Sequence, residues 1–398
     1  MNSLLGHLLV LDLADETASY CSMLLGGLGA NVIKVEKPGG DLSRNIGPFY
    51  KTRVGKISLP FLYNNAGKKS ITLNLEIRSG RDIFRRLAGR ADIIIDTFPA
   101  GYLKRRRLDY DRLKALNQRL IMASVTPFGQ TGPRKSCTAD DASISAAAGL
   151  THLHGHLQGS PVNPVGNQAS SLASLFAVSG ILLALQNRSV TGKGQSIDIS
   201  EQEAAASALV NPFVRYFSEG AITHRNGRMR WDNMAGIFPC SDGFIFLTFD
   251  REWDILMDLM ASDNYDPYFN SAEWKDPVYR RQRCSRIIEA ITAWTRTYKV
   301  AQLFELGQSM RFPWALVSDM ASLKENPQLK SRGYFSSTGL SGTTPELALP
   351  GMPCIFDGNR GIPTLKVPLA GEHNDEVYGQ MLSLSEEEIA RLKKNSVI

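Results

Sequence analysis

The chain has 398 residues, 43% of them apolar and 21% charged, with a formal net charge of +6. That length suits two domains with a sizeable core, and the composition is that of an ordinary globular enzyme. The Lys and Arg are spread along the chain, which gives no case for nucleic acid, and no run approaches the ~18 apolar residues of a membrane span.

The first forty residues read strand, helix, strand. Leu8 to Leu13 is a short apolar run, helical periodicity follows from Ala18 to Leu28, and Asn31 to Glu36 is a second strand. The opening segment has no basic leader and no cleavage site, so it reads as a strand rather than a signal peptide. The alternation continues with a strand at Ser70 to Leu75 and an amphipathic helix at Ser79 to Leu87, with Ser79 as its cap. A strand follows at Asp92 to Asp96, then a helix near Asp109 to Asn117 and a strand at Leu120 to Val125. Strands alternating with helices imply an α/β fold on a mostly parallel sheet. Polar loops at Lys37 to Pro48 and Thr126 to Lys135 follow strands, where such sheets bind ligands, yet neither is a dinucleotide or Walker A fingerprint.

From Ala142 to Leu150 a small-residue helix leads into a loop holding His152, His154 and His156. Gly166 then precedes a long apolar helix, about Gln168 to Gln186, which ends at the turn Thr191 to Gly194. A glycine before a helix start lets a ligand approach the backbone, and the helix start favours negative charge. The loop Gly166-Asn167-Gln168 is therefore the expected centre of function. The three histidines alternate as metal ligands on a strand would, but their neighbours are loop-like and no carboxylate or cysteine completes a set. A polar loop with no metal is expected.

The texture changes near Gly220. A hairpin is expected at Ala235 to Cys240 and Phe244 to Phe249, then helices at Arg251 to Ala261, Tyr279 to Thr297 and Val300 to Met310. The expected division is a large domain over 1–220, a smaller α+β domain over 221–325, and a return segment over 326–398 that completes the first. The tail carries a capping box, Ser385 and Glu388. The five cysteines are far apart and form no CxxC pair. This suits free thiols in a reducing, cytoplasmic setting.

Seven stretches, in register along the whole chain, resemble one family. They are Gly29 to Glu36, Gly40 to Arg44, Asn65 to Leu75, Ala91 to Phe98, Phe128 to Pro133, Gly192 to Ser200 and Gly371 to Val377. Together they resemble the family III CoA-transferases, which also include carnitine CoA-transferases and α-methylacyl-CoA racemases. The resemblance implies a Rossmann-like large domain, a smaller domain joining its two parts, and two interlocked subunits.

It also implies a site for CoA or an acyl-CoA. Arg44 would lie near the nucleotide, Leu73 would line the adenine slot, and Thr97, Phe98, Arg105, Arg106 and Phe128 would complete it. The chemistry is reasonable, because arginine suits the phosphates of CoA and adenine suits an apolar slot. Taken alone, the run Lys104 to Arg107 would read as a solvated helix face. One departure is visible: Glu76 stands where a lysine often follows the strand.

The other departure is chemical. The family nucleophile is an aspartate in a Gly-Asp pair, and here that pair is Gly166-Asn167. An amide cannot open the thioester as a carboxylate does. The racemases also need a His-Asp pair, which here reads Asp140-Asp141. Asn167 caps a helix as well as Asp would, so the fold tolerates the change. The resemblance is strongest to a divergent subgroup that includes the non-catalytic subunit of the benzylsuccinate CoA-transferases. The expected role is a CoA-transferase subunit paired with a competent one. Two alternatives are an acyl-CoA lyase, dehydratase or isomerase using Asp140 or Asp141, and a non-enzymatic acyl-CoA binding protein.

Overall fold

The computed structural model describes residues 3–52, 55–230, 234–250, 253–265, 269, 271–340, 343–358, 360 and 366–398. The chain divides into two compact units. One comprises 1–148, 164–209 and 328–398; the other comprises Gly149–Asn163 and Val210–Pro327.

The first unit is built on β1 (Leu9–Leu13), β2 (Asn31–Glu36), a hairpin of β3 (Phe49–Thr52) and β4 (Gly55–Ser58), β5 (Lys69–Thr72), β6 (Ile93–Asp96), β7 (Ile121–Thr126) and β8 (Ser196–Ser200). Six of these strands form one sheet in the order β5-β2-β1-β6-β7-β8, and all neighbours are parallel. The chain winds outward one way from β1 and then the other way from β6, which is the Rossmann-type order. The carboxyl ends of β1 and β6 thus flank the switch point, where such sheets open a crevice.

The helices through the first half are α1 (Ser19–Gly27), α2 (Leu59–Asn65), α3 (Arg78–Ala88), α4 (Tyr102–Arg105), α5 (Tyr110–Leu113), α6 (Asp141–Ala147), α7 (Leu150–Leu153), α8 (Gln168–Thr191), α9 (Glu201–Ala206) and α10 (Val210–Glu219). Strand side chains alternate between two cores. Leu11, Ile33, Ile71 and Ile94 meet Phe84 and Leu87 of α3 and the C-terminal Tyr378, Ile389 and Val397. Val10, Val32, Ile93 and Ile121 meet Leu25 of α1 and the row Ala173, Ala177, Ile181 of α8. The edge strand β5 is covered by the segment Gly371–Asn374. Ser70 N donates to His373 Nδ1 and Thr72 N donates to Asn374 Oδ1, which closes an edge that would otherwise be open.

Several element boundaries differ from the sequence expectation. The segment expected to be helical over Asp109 to Asn117 makes one short turn, α5. Helix α3 starts at Arg78 with Ser79 inside it and no side-chain cap. Helix α8 continues to Thr191, because nothing stops it before Gly192, whose φ of 72° ends it. At 24 residues α8 is long and apolar enough to cross a bilayer by composition alone. Its small-residue face packs on the sheet, however, and its Arg188 is buried, paired with Asp92 at 3.0 Å and bonded to Arg119 O.

In the second unit β9 (Ala235–Pro239) and β10 (Phe244–Thr248) form the expected antiparallel hairpin, joined by β11 (Ala315–Leu316). Helices α11 (Trp253–Ser262), α12 (Pro277–Gln282), α13 (Cys284–Thr295) and α14 (Val300–Ser309) surround it. The segment expected as one helix from Tyr279 to Thr297 is two, broken at Arg283. The expected start of the preceding helix, Arg251, lies outside the described residues. Trp253, Trp274, Trp294 and Trp314 fill the core.

Beneath the carboxyl ends of β1 and β2 lies a buried charge network. Lys68 Nζ donates to Asp12 Oδ2 at 2.8 Å, Ser22 Oγ at 2.7 Å and Asn65 Oδ1 at 2.9 Å. Lys34 Nζ donates to Ala14 O at 2.6 Å. Burial pushes the Asp12 carboxyl up, but Lys68 and Lys34 outweigh it and hold it below the usual range. Burial pulls Lys68 down to about 8 against the opposing pull of Asp12. Removing one partner would strand the other's charge. Lys68→Ala is therefore expected to destabilise the fold by about 3–5 kcal/mol, against under about 1 kcal/mol for Lys69→Ala, whose ion pair is exposed. Chemical denaturation of the two variants measures the difference.

Candidate functional site

The crevice at the switch point is a cavity of about 500 Å³. Leu13, Asp15, Val35, Leu73, Thr97 and Phe98 are among the residues that line it. Asp15 N donates to Thr97 Oγ1 at 3.0 Å, tying the loop after β1 to the loop after β6. Leu73 is buried in the wall. Leu73, Thr97 and Phe98, expected together from the sequence, do share this cavity.

The arginines are placed differently. Arg44 grips Glu36 with two nitrogens, at 2.7 and 2.6 Å, and gives its third to Pro368 O at 3.0 Å. Its guanidinium also lies 4.2 Å over the Phe61 ring. Burial would push the Glu36 carboxyl up, but Arg44 and Ser70 hold it below the usual range. Arg44 thus acts as the counter-ion of a buried carboxylate. Arg106 stacks 3.5 Å over Tyr102 and is ion-paired to Glu76. Tyr102 in turn stacks on Phe98 at 4.2 Å and donates its hydroxyl to Glu76 Oε1 at 2.6 Å.

Phe98 and Tyr102 separate the crevice from a second cavity of about 470 Å³. This one is lined by Lys104, Arg105 and Lys135, which carry no ion pair among the described residues, and by Ser124, Gln130 and Asp96. Burial pushes the Asp96 carboxyl up to about 6, against hydrogen bonds from Ser124 Oγ and Phe98 N. Phe128 lines a third, smaller cavity with Arg134, Asp198 and Glu203, away from Leu73 and Phe98.

The start of α8 is the other element that the sequence singled out. Gly166 and Asn167 both take positive φ, 91° and 50°. A left-handed residue before a helix is readily Gly, Asn or Asp and rarely anything else. Asn167 makes no side-chain capping bond, so the expectation that it caps α8 is corrected: in a left-handed conformation its side chain does not reach back to the first-turn amides. Asp141 does that work instead, accepting from Ser170 N at 2.9 Å. Asp140 caps its own helix α6 through Ser143 N at 2.8 Å. Both acids are engaged at helix starts.

Ser170 Oγ also donates to Glu201 Oε2 at 3.2 Å. Glu201 is buried, and no ion pair reaches it among the described residues. Burial pushes its carboxyl up to about 7, and the charges of Asp15 and Asp141 add to that. Sequence reading missed Glu201, Lys135, Asp96 and Tyr102. Only Lys135 carried a signal, as the cation closing a polar loop after a strand.

His152 lies in α7, not on a strand, and its ring is 6.4 Å from that of His224. Among the described residues no group of three or more His, Cys, Asp or Glu is arranged to hold a metal ion.

The family model described as CoA-transferase family III matches residues 5–374. The chain is 35% identical over 378 residues to the BbsE subunit of succinyl-CoA:(R)-benzylsuccinate CoA-transferase from Thauera aromatica, covering 92% of each chain. It is 30% identical over 404 residues to the beta subunit of succinyl-CoA–L-malate CoA-transferase from Chloroflexus aurantiacus, covering 98% of this chain and 96% of that one. Among solved structures, a CaiB/BaiF family protein from Brucella suis superposes with a TM-score of 0.84 at 28% identity, covering 96% of this chain and all of that one.

The raised Glu201 carboxyl has a stability consequence. Its ordinary value of 4.5 becomes about 7 on folding. Below 4.5 both states are protonated and the group is neutral in effect. Between 4.5 and 7 the unfolded chain ionises while the folded one does not, so stability falls, and above 7 the loss levels off. Glu201→Gln is always neutral. It is expected to be stabilised relative to the unaltered chain by roughly 2 kcal/mol more at pH 8 than at pH 5, measured by urea denaturation at the two values.

Proposed function

The chain belongs to CoA-transferase family III, and we propose that within it this is the subunit without the nucleophile, acting beside a competent one. The observation behind this reading is Asn167 in the left-handed turn at the start of α8. A carboxylate there would attack a thioester carbonyl, expel the CoA thiolate and become a mixed anhydride. The thiolate would then attack the enzyme's own acyl carbon, releasing the donor acid and leaving an enzyme-bound CoA thioester. The lone pair of an amide nitrogen is delocalised, so Asn167 cannot begin that sequence. The reading of Asp140 or Asp141 as a general base loses ground, since each is engaged at a helix start. Simple acyl-CoA storage is not favoured either, since the relatives are named as transferase subunits.

We take the donor to be succinyl-CoA and the acceptor a dicarboxylic acid, on the strength of the benzylsuccinate, malate and mesaconate transferases it resembles. CoA would use the crevice for its adenosine, with Leu73, Thr97 and Phe98 around it. Its pyrophosphate would meet Arg105, with Lys104 and Lys135. A partner of the same family is supported by relatives that are subunits. It is also supported by apolar surface on two helices. Helix α8 exposes Phe176, Leu183 and Val190, and α10 buries none of its residues while exposing Phe213, Val214 and Phe217. Five unpaired cysteines suit work in the cytoplasm.

Two measurements test this. Arg105→Ala is expected to weaken CoA binding by about 1–3 kcal/mol in calorimetry; unchanged affinity would move the phosphates elsewhere. Asn167→Asp keeps size and tolerates the left-handed turn. Incubated with succinyl-CoA, the variant is expected to gain a covalent adduct visible by mass spectrometry, and the unaltered chain none. An adduct on the unaltered chain would mean that it has a nucleophile of its own.

A further inference from the structure

The wall between the two cavities is a stack of Phe98, Tyr102 and Arg106, closed by Glu76. Both faces of the Tyr102 ring are covered, one by Phe98 at 4.2 Å and the other by the Arg106 guanidinium at 3.5 Å. Glu76 holds two members of the stack at once, through the Tyr102 hydroxyl and the Arg106 ion pair. Its side chain is 60% exposed, whereas that of Arg106 is 20% exposed. Glu76 lines the crevice, while Arg106 lines neither cavity. The anion of this pair therefore borders the crevice, and its cation does not.

The rest of the lining repeats the division. The crevice is bordered by Asp15, Glu36, Asp41 and Glu76, with Lys37 as its one lysine or arginine. Glu36 is neutralised by Arg44, and Asp41 lies 3.8 Å from the buried Lys34. Glu76 is the exposed acid whose cation faces elsewhere. Across the stack the second cavity has Lys104, Arg105 and Lys135. Its acids are subdued, because Asp109 is ion-paired to Arg112 and Asp96 is pushed toward the protonated form.

We propose that Glu76 is a specificity-determining residue of the nucleotide site: it keeps Arg106 from the ligand and makes the crevice refuse a phosphate, so that the crevice takes the uncharged adenosine face only. This rests on the reading of the crevice as the CoA site. It predicts that the 3′-phosphate of CoA adds little to affinity in this protein, because binding in the crevice brings it near the Glu76 carboxylate.

The test is calorimetry of the full-length chain and Glu76→Gln with two probes, CoA and 3′-dephospho-CoA. Glutamine keeps an acceptor for the Tyr102 hydroxyl and removes the charge. The variant is expected to bind CoA about two- to fivefold tighter, to bind dephospho-CoA unchanged, and to lose the difference at high salt. A variant that weakens both probes alike would make Glu76 a mere prop for Tyr102 and overturn the proposal. So would a ratio of affinities that does not move. If the unaltered chain binds neither probe, the CoA reading itself fails, and this inference with it.

Discussion

The structure turns on charges buried under the carboxyl edge of the central sheet. Asp12 sits fully buried on the middle strand and can be ionised there only because Lys68 meets it and Lys34 stands near. Those same side chains hold backbone. Lys34 binds Ala14 O, Asp12 binds Ala14 N, and Lys68 reaches the first turn of α1 through Ser22. The loop after β1 is therefore pinned from beneath, and that loop forms one lip of the crevice. A buried pair of this kind is weak as net stabilisation but strong as a constraint, since misplacing any member strands a charge.

Arginine roles follow from which carboxylates the fold sets beside them. Glu36 ends β2 inside the protein and takes Arg44 as counter-ion, while Glu76 ends the loop after β5 and takes Arg106. What remains for an anionic ligand is the unpaired set across the aromatic wall. The two cavities are therefore of opposite character, divided by Phe98 and Tyr102.

The start of α8 is set by backbone geometry that an amide and a carboxylate satisfy alike. The two left-handed residues, the Asp141 bond to the Ser170 amide and the buried Glu201 beside it define the turn in which position 167 sits. An amide fills that place with almost no steric change. The left-handed turn accepts Asn167 as readily as it would Asp.

By itself the sequence determined the α/β alternation, the parallel strands to within three residues at their ends, the hairpin of the second unit, the family, and the position of Asn167. The strands and the hairpin are local patterns that apolar periodicity reports directly, whereas the family and Asn167 came from the resemblance of motifs in order along the chain. The resemblance also grouped Leu73, Thr97 and Phe98, and the three line one cavity, since β5 and β6 both end at the same carboxyl edge of the sheet. Only the tertiary structure decided what each charge does. Arg44, Arg105 and Arg106 look alike in sequence, yet two are counter-ions and one has no ion pair among the described residues, since pairing depends on which distant carboxylate the fold brings beside each. Glu201 was invisible for the same reason: its burial is set by α6 and α8 packing over it. The assignment of Gly149–Asn163 to the second unit likewise comes from contacts with residues some seventy positions later, such as Arg225 bonding His152 O and Gly159 O, and no local pattern carries that information.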